Sequence, residues 1–77
     1  MTLGQERVRL SFNPSGNIDV VNIKQRAADC IDWCAGRKIS ETSVSVADQE
    51  VNRLLELAMT AFEEAAMWAV KAITAGK

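Results

Sequence analysis

The C-terminal part of the chain contains a long stretch without proline or glycine, and this stretch constrains the fold most. From Ala47 to Ala75 every residue is compatible with an α-helix, which at 1.5 Å per residue would be about 40 Å long. Within it, the segment AFEEAAMWAVKAI, residues 61–73, carries apolar side chains on more than one side. Because a helix that is apolar nearly all round must be buried, something has to cover these faces.

The apolar residues of this predicted helix form three groups around its axis. The first group is rich in small residues and is predicted to pack on another helix of the same chain; it comprises Val51, Leu55, Ala58, Phe62, Ala65, Ala69 and Ala72. The second group comprises Leu54, Leu57, Ala61 and Trp68, and the third comprises Met59, Ala66, Val70 and Ile73. One short partner helix cannot cover all three groups, so the sequence predicts a symmetric oligomer of helical hairpins.

A shorter helix is predicted over residues 19–35. Its apolar residues recur at three- and four-residue steps, while charged and amide side chains take the other sides. Those apolar residues are Val20, Ile23, Ala27, Cys30, Ile31 and Cys34. Asn17 or Asp19 can serve as the N-cap, and Gly36 is a stop signal.

A loop over residues 36–46 is predicted to join the short helix to the long one, which we place at 47–75. Ser45 and Asp48 form an imperfect capping box at the start of the long helix. The sequence therefore predicts a helical hairpin, since a single loop of this length returns the chain antiparallel.

Residues 1–17 are predicted to form a short extended arm. From Val8 to Phe12 apolar and polar residues alternate at period two, which is typical of extended backbone. Pro14 fixes φ and biases Asn13 away from helix, so Phe12 lies just before a turn. The predicted fold is all-α, with this arm and an antiparallel helical hairpin in one domain.

Composition excludes several classes of function. With 77 residues, a net charge of −1 and a pI of about 5.3, the chain has no basic footprint for a DNA or RNA polymer. No apolar run is long enough to span a membrane, so we expect a cytoplasmic protein without a membrane partner. These features leave small molecules and proteins as partners.

Enzymatic activity is not expected either. The chain contains no histidine, which removes the commonest general base and every Ser-His or Cys-His arrangement. Cys30 and Cys34 match neither a redox motif nor a zinc site, so they are predicted to be buried thiols. Glu63 and Glu64 point about 100° apart on a helix and do not converge. We therefore predict no catalytic residue, no metal and no cofactor.

The segment LAMTAFEEAAMWAVKAI, residues 57–73, resembles the C-terminal signature of phage anti-CBASS cyclic-oligonucleotide sponges, whose helical hairpin domain is shared with Thoeris anti-defence sponges. The matching positions are Ala58, Thr60, Glu63, Glu64, Met67, Trp68, Ala69 and Ile73. Upstream, the order of features also agrees: an aromatic residue two before a proline, a helix with an early basic residue, a loop and a long helix. The resemblance spans most of the chain.

This resemblance implies a fold and a function. Family members are small helical proteins that assemble as homohexamers and sequester cyclic di- and trinucleotides made by bacterial immune cyclases. They bind these signals in the host cytoplasm without cleaving them, so that CBASS effectors are not activated. A cyclic ADP-ribose-type Thoeris signal is an alternative ligand, and a structural adaptor that binds a partner helix is the alternative of a different class.

The resemblance also implies a set of ligand-binding residues. The predicted set is Phe12, Asn13, Lys24, Arg26, Arg53 and Thr60. Phe12 stands where the family has a base-stacking aromatic, and Lys24 matches a phosphate-contacting lysine on the first helix, with Arg26 nearby. Arg53 aligns with an arginine that helps to bind cyclic trinucleotides.

Each of these residues also has a plain structural interpretation. Phe12 can anchor the N-terminal arm, and Lys24 can be an ordinary solvated lysine of an amphipathic helix. Arg53 has Glu50 and Glu56 three residues to either side and can form exposed helix pairs with them. The sequence leaves these alternatives open.

Overall fold

The computed structural model describes residues 1–40 and 45–75. Within these residues the chain forms three α-helices: Leu3–Arg7 (α1), Ile18–Gly36 (α2) and Val46–Ala75 (α3). No strand occurs within these described residues, so the all-α prediction is confirmed. The bounds of α2 and α3 lie within one residue of those predicted. Part of the predicted loop, residues 41–44, lies outside the described residues.

The helices α2 and α3 form an antiparallel pair. At one end, Lys38 Nζ lies 2.8 Å from a carboxylate oxygen of Glu56. Further along, Lys24 of α2 lines the same cleft as Val70 of α3. Moving backward along α2 therefore corresponds to moving forward along α3, as in the predicted hairpin.

Local capping explains where these two helices begin. The side chain of Asn17 is the N-cap of α2, and its Oδ1 accepts a hydrogen bond from the Asp19 N–H at 2.7 Å. At the start of α3, Asp48 N–H donates to Ser45 Oγ at 3.1 Å and Ser45 N–H donates to Asp48 Oδ2 at 3.2 Å. The predicted capping box is thus present, because both bonds satisfy amides that the helix leaves unpaired.

The predicted extended arm is wrong for residues 3–7, which form the helix α1. Thr2 and Gln5 make a full capping box: Gln5 N–H donates to Thr2 Oγ1 at 3.2 Å, and Thr2 N–H donates to Gln5 Oε1 at 3.0 Å. The alternating residues from Val8 to Phe12 form the tight turn that ends α1 and not an extended segment. Local capping therefore outweighs a period-two pattern that covers only five residues.

The helix α1 crosses α2 with its backbone in direct contact. A Cβ atom on Gly4 would lie 2.1 Å from the carbonyl oxygen of Ala28, so only glycine fits at this position. The Gly4 N–H also donates to Asp32 Oδ1 at 2.7 Å. This crossing fixes α1 on the surface of α2 and directs the following residues toward α3.

The core lies between α2, α3 and the residue that ends α1, Val8. Its buried members are Val8, Ala27, Ala28, Ile31, Cys34, Met59 and Ala66. Both cysteines are free, with Cys34 buried and Cys30 half-buried. Within the described residues, no helix has the length and hydropathy that a membrane span requires.

The predicted seam of α3 is wrong in part. Met59 and Ala66 of the third group face α2, whereas Val51 and Phe62 of the first group are 42% and 37% exposed. Met59 and Ala66 join Val8, Ala27, Ile31 and Cys34 in the core cluster, so the middle of the third group is the inward side of α3. Leu55 and Ala58, from the predicted seam, pack only at the edge of the core.

The second apolar group of α3 is uncovered in the single chain. Leu54, Leu57 and Trp68 are 51%, 55% and 54% exposed. They lie on the side of α3 away from its contact with α2. The chain therefore presents an apolar surface along most of its longest helix.

Replacing Gly4 by alanine should lower the free energy of unfolding by about 1 to 3 kcal/mol, because the added methyl group would push α1 off α2. Urea unfolding followed by circular dichroism, at one protein concentration, would measure this. The matched control is Gly36→Ala, since a Cβ there meets nothing within 4 Å. Identical unfolding of the Gly4→Ala variant and the unmodified protein would contradict the close crossing.

Candidate functional site

A cleft of about 620 Å³ opens between the turn after α1, the first half of α2 and the middle of α3. Of the predicted ligand-binding residues, Phe12, Lys24 and Thr60 line it. Its other lining residues are Arg7, Val8, Arg9, Glu63, Glu64, Ala66, Met67 and Val70. The structure thus brings together three predicted residues that come from three separate parts of the chain.

The turn after α1 shapes one wall of the cleft. Arg9 N–H donates to Glu6 O at 3.1 Å and Leu10 N–H donates to Gln5 O at 3.0 Å. These two bonds, with Arg9 at a φ of 53°, make a Schellman motif in which Arg9 takes the left-handed position. The chain turns sharply there, and Phe12 N–H then donates to Arg9 O at 2.9 Å.

Lys24 of α2 stabilises this turn through hydrogen bonds. It is only 7% exposed, and its ammonium donates to the carbonyl oxygens of Arg9, at 2.9 Å, and of Phe12. Burial, together with the nearby positive charge of Arg9, lowers the pKa of Lys24 below its ordinary value. Lys24 is therefore a buried cation that orders the backbone, and the solvated-lysine interpretation is wrong.

Phe12 stands at the mouth of the cleft with its ring accessible. Phe12 is 63% exposed, and Lys24 Nζ lies 5.6 Å from the centroid of its ring, within cation–π range. A ring held from one side and open on the other is suited to stacking on a planar group. Within one chain it is too exposed to act as a hydrophobic anchor.

Arg7 links α1 to α3 along one side of the cleft. Its guanidinium donates to Glu63 Oε1 at 3.2 Å, to Thr60 Oγ1 at 3.3 Å and to Glu56 Oε1 at 3.4 Å. Glu56 also pairs with Lys38. These bonds join α1 to α3, so the Thr60 hydroxyl already has a partner inside the chain.

The two adjacent glutamates of α3 have different partners. Glu63 pairs with Arg7, whereas Glu64 Oε1 accepts a hydrogen bond from the indole N–H of Trp68 at 3.3 Å. As predicted, the two carboxylates do not converge. Within the described residues no group of cysteine, aspartate and glutamate side chains is arranged to hold a metal ion.

The other predicted residues lie outside the cleft. Asn13 Nδ2 donates to Asn17 O at 2.9 Å and fixes the turn before α2. Arg26 is exposed and lies about 200° around α2 from Lys24, on the opposite side of the helix. Arg53 Nε donates to Glu50 Oε2 at 2.9 Å in an exposed helix pair, which lowers the pKa of Glu50.

Two cleft residues were missed by sequence reasoning. In the sequence, Arg7 and Arg9 are polar residues of an alternating apolar and polar segment. The neighbouring residues give no sign that the two arginines line a cleft with α3. The signal available for α1 was the Thr2 to Gln5 capping box, which marks the start of a helix at Leu3. Recognising that start would have predicted a short helix before Pro14 in place of an extended arm.

Comparison with known proteins identifies a family. The family model described as "Acb2/Tad1, hairpin domain" matches residues 4–74, which spans α1 to the last turn of α3. No curated protein and no solved structure matches the chain significantly. The family match agrees with the resemblance found in the C-terminal signature.

Replacing Lys24 by methionine, which has similar length but no donor, should speed hydrogen exchange of the Phe12 amide and lower stability by about 1 kcal/mol or more. The reason is that two carbonyl oxygens of the turn lose their shared donor. Exchange measured by NMR would show the effect. The control is Lys71→Met, because Lys71 is exposed on α3 near Trp68; equal exchange in both variants would contradict the role given to Lys24.

Proposed function

This chain belongs to the Acb2/Tad1 hairpin-domain family, and we propose that it sequesters cyclic di- or trinucleotide immune signals of a bacterial host. The family is one of phage anti-defence sponges for cyclic nucleotide signals. The observation that supports this proposal best is the cleft, where Phe12, Lys24 and Thr60 meet. A ligand held there is kept from the CBASS effector that it would otherwise activate.

Each side of the cleft suits one part of a cyclic dinucleotide. The open face of Phe12 offers a stacking surface for a base, and base–aromatic stacking contributes about 1 to 3 kcal/mol per base. Lys24 acts indirectly in this proposal: it fixes the backbone that displays Phe12 and adds a positive charge beneath it. Thr60 lies opposite, on α3.

The proposed action is binding without cleavage. A hydrolase needs an acid and a base that converge on one bond, whereas Glu63 and Glu64 are engaged with Arg7 and Trp68. Sequestration instead requires one binding site for each signal molecule and slow release. The protein would act in stoichiometric amounts in the cytoplasm of the infected cell.

We propose that the protein works as a symmetric oligomer, a hexamer as the resemblance implies. Supporting this is the uncovered surface formed by Leu54, Leu57 and Trp68, which another copy of the chain would bury. The same surface favours the adaptor alternative, in which it binds a helix of a different protein. A Thoeris cyclic ADP-ribose-type signal is the alternative ligand within the sponge proposal.

Native mass spectrometry of the protein mixed with cyclic di- and trinucleotides and with cyclic ADP-ribose should show a hexamer that retains ligand of unchanged mass. The masses report assembly, stoichiometry and any cleavage in one experiment. A monomer would contradict the oligomer, and a cleaved ligand would contradict sequestration. An oligomer that stays empty with all cyclic nucleotides, including cyclic ADP-ribose, would favour the adaptor.

Replacing Phe12 by alanine should weaken ligand binding by about 1 to 3 kcal/mol, since one stacking surface is lost. Phe12→Tyr should bind as the unmodified protein does, because the ring is retained. The control is Trp33→Ala, which removes an exposed ring near the opposite end of α2. Isothermal titration calorimetry would measure all three; equal affinities for Phe12→Ala and Trp33→Ala would refute the stacking role.

A further inference from the structure

We infer that Arg9 contacts a phosphate of the bound ligand through its guanidinium, and that Lys24 positions the backbone of Arg9 for this contact. This inference rests on the proposed function, since it assigns the anion contact within the same cleft. Arg9 is exposed and lines the cleft together with Phe12. It was not among the residues predicted to bind ligand.

The backbone of Arg9 gives the first argument. Its φ of 53° lies in the left-handed region, which is unfavourable for a residue with a Cβ atom and is the usual place for glycine in a Schellman motif. Strained positions of this kind cluster at ligand-binding sites, where the side chain is needed. Stability alone would favour glycine here, so the long basic side chain has another use.

The charges around the cleft give the second argument. Among the described residues, Arg9 forms no ion pair with a carboxylate, whereas Arg7 is paired with Glu56 and Glu63. Glu64 is bonded to the indole of Trp68. Arg9 is therefore the arginine of this cleft whose guanidinium is available to an incoming anion.

The engagement of Lys24 gives the third argument. Two of the three hydrogens of its ammonium point to the carbonyl oxygens of Arg9 and Phe12, and the residue is 7% exposed. Only one hydrogen of this buried ammonium is left for an incoming anion, whereas the guanidinium of Arg9 is exposed. The carbonyl of Arg9 is held by Lys24, so the buried ammonium fixes the backbone from which the exposed guanidinium extends. A guanidinium presents paired donors that match a phosphate.

Binding of cyclic di-AMP, cyclic di-GMP and cyclic tri-AMP to Arg9 variants, measured by isothermal titration calorimetry, tests the inference. Arg9→Gly and Arg9→Ala should bind about ten- to a hundredfold more weakly than the unmodified protein, and Arg9→Lys should recover part of the loss. Arg9→Gly should also raise the unfolding midpoint, because glycine relieves the left-handed strain. Weaker binding by a more stable protein cannot come from misfolding.

The control is Arg37→Ala, which removes one positive charge at the C-terminal end of α2, where Arg37 stacks on Trp33 at 4.2 Å. It should bind as the unmodified protein does. If Arg9→Gly and Arg9→Ala bind as tightly as this control, the inference is overturned while the proposed function stands. If the unmodified protein binds none of the three probes, the inference falls together with its premise.

Discussion

The backbone contact between Gly4 and Ala28 is the constraint on which the rest of the structure depends. Because no side chain separates the two helices there, α1 lies close enough to α2 for Val8 to enter the core beside Ile31. The short helix then ends over α2 and next to α3, which is where the cleft forms. A five-residue helix is not stable alone, so its position has to come from such tertiary contacts together with its cap.

Charge is distributed in the cleft by structural role. Arg7 donates its side-chain hydrogen bonds to residues of α3, and Lys24 donates its own to the turn that carries Phe12. Both cations stabilise the fold, because their partners are carboxylates, a hydroxyl and carbonyls of the same chain. The shape of the cleft therefore depends on basic residues that the sequence alone would suggest as phosphate ligands. The guanidinium of Arg9, at the edge of the cleft, forms no ion pair within the described residues.

The sequence predicts the helices better than it predicts their contacts. Asn17 and the Ser45 cap act within three residues, so the starts of α2 and α3 can be read locally. Which apolar side of α3 faces inward depends on the surface that α2 and Val8 present to it, and a single helix does not contain that information. Likewise, Phe12 and Lys24 can be singled out by resemblance, but the burial of Lys24 follows from the path of α1 across α2.

The left-handed conformation of Arg9 bears on how relatives of this chain diverge. A substitution to glycine at this position is accessible by a single replacement and relaxes the backbone, so random drift under selection for folding alone moves toward it. Stability alone would not retain arginine there, so its retention would depend on a use outside the fold such as the phosphate contact inferred above. If that contact is lost in a lineage, this position is expected to change early, before the core or the caps. The residue found there would then indicate whether a descendant still uses the contact.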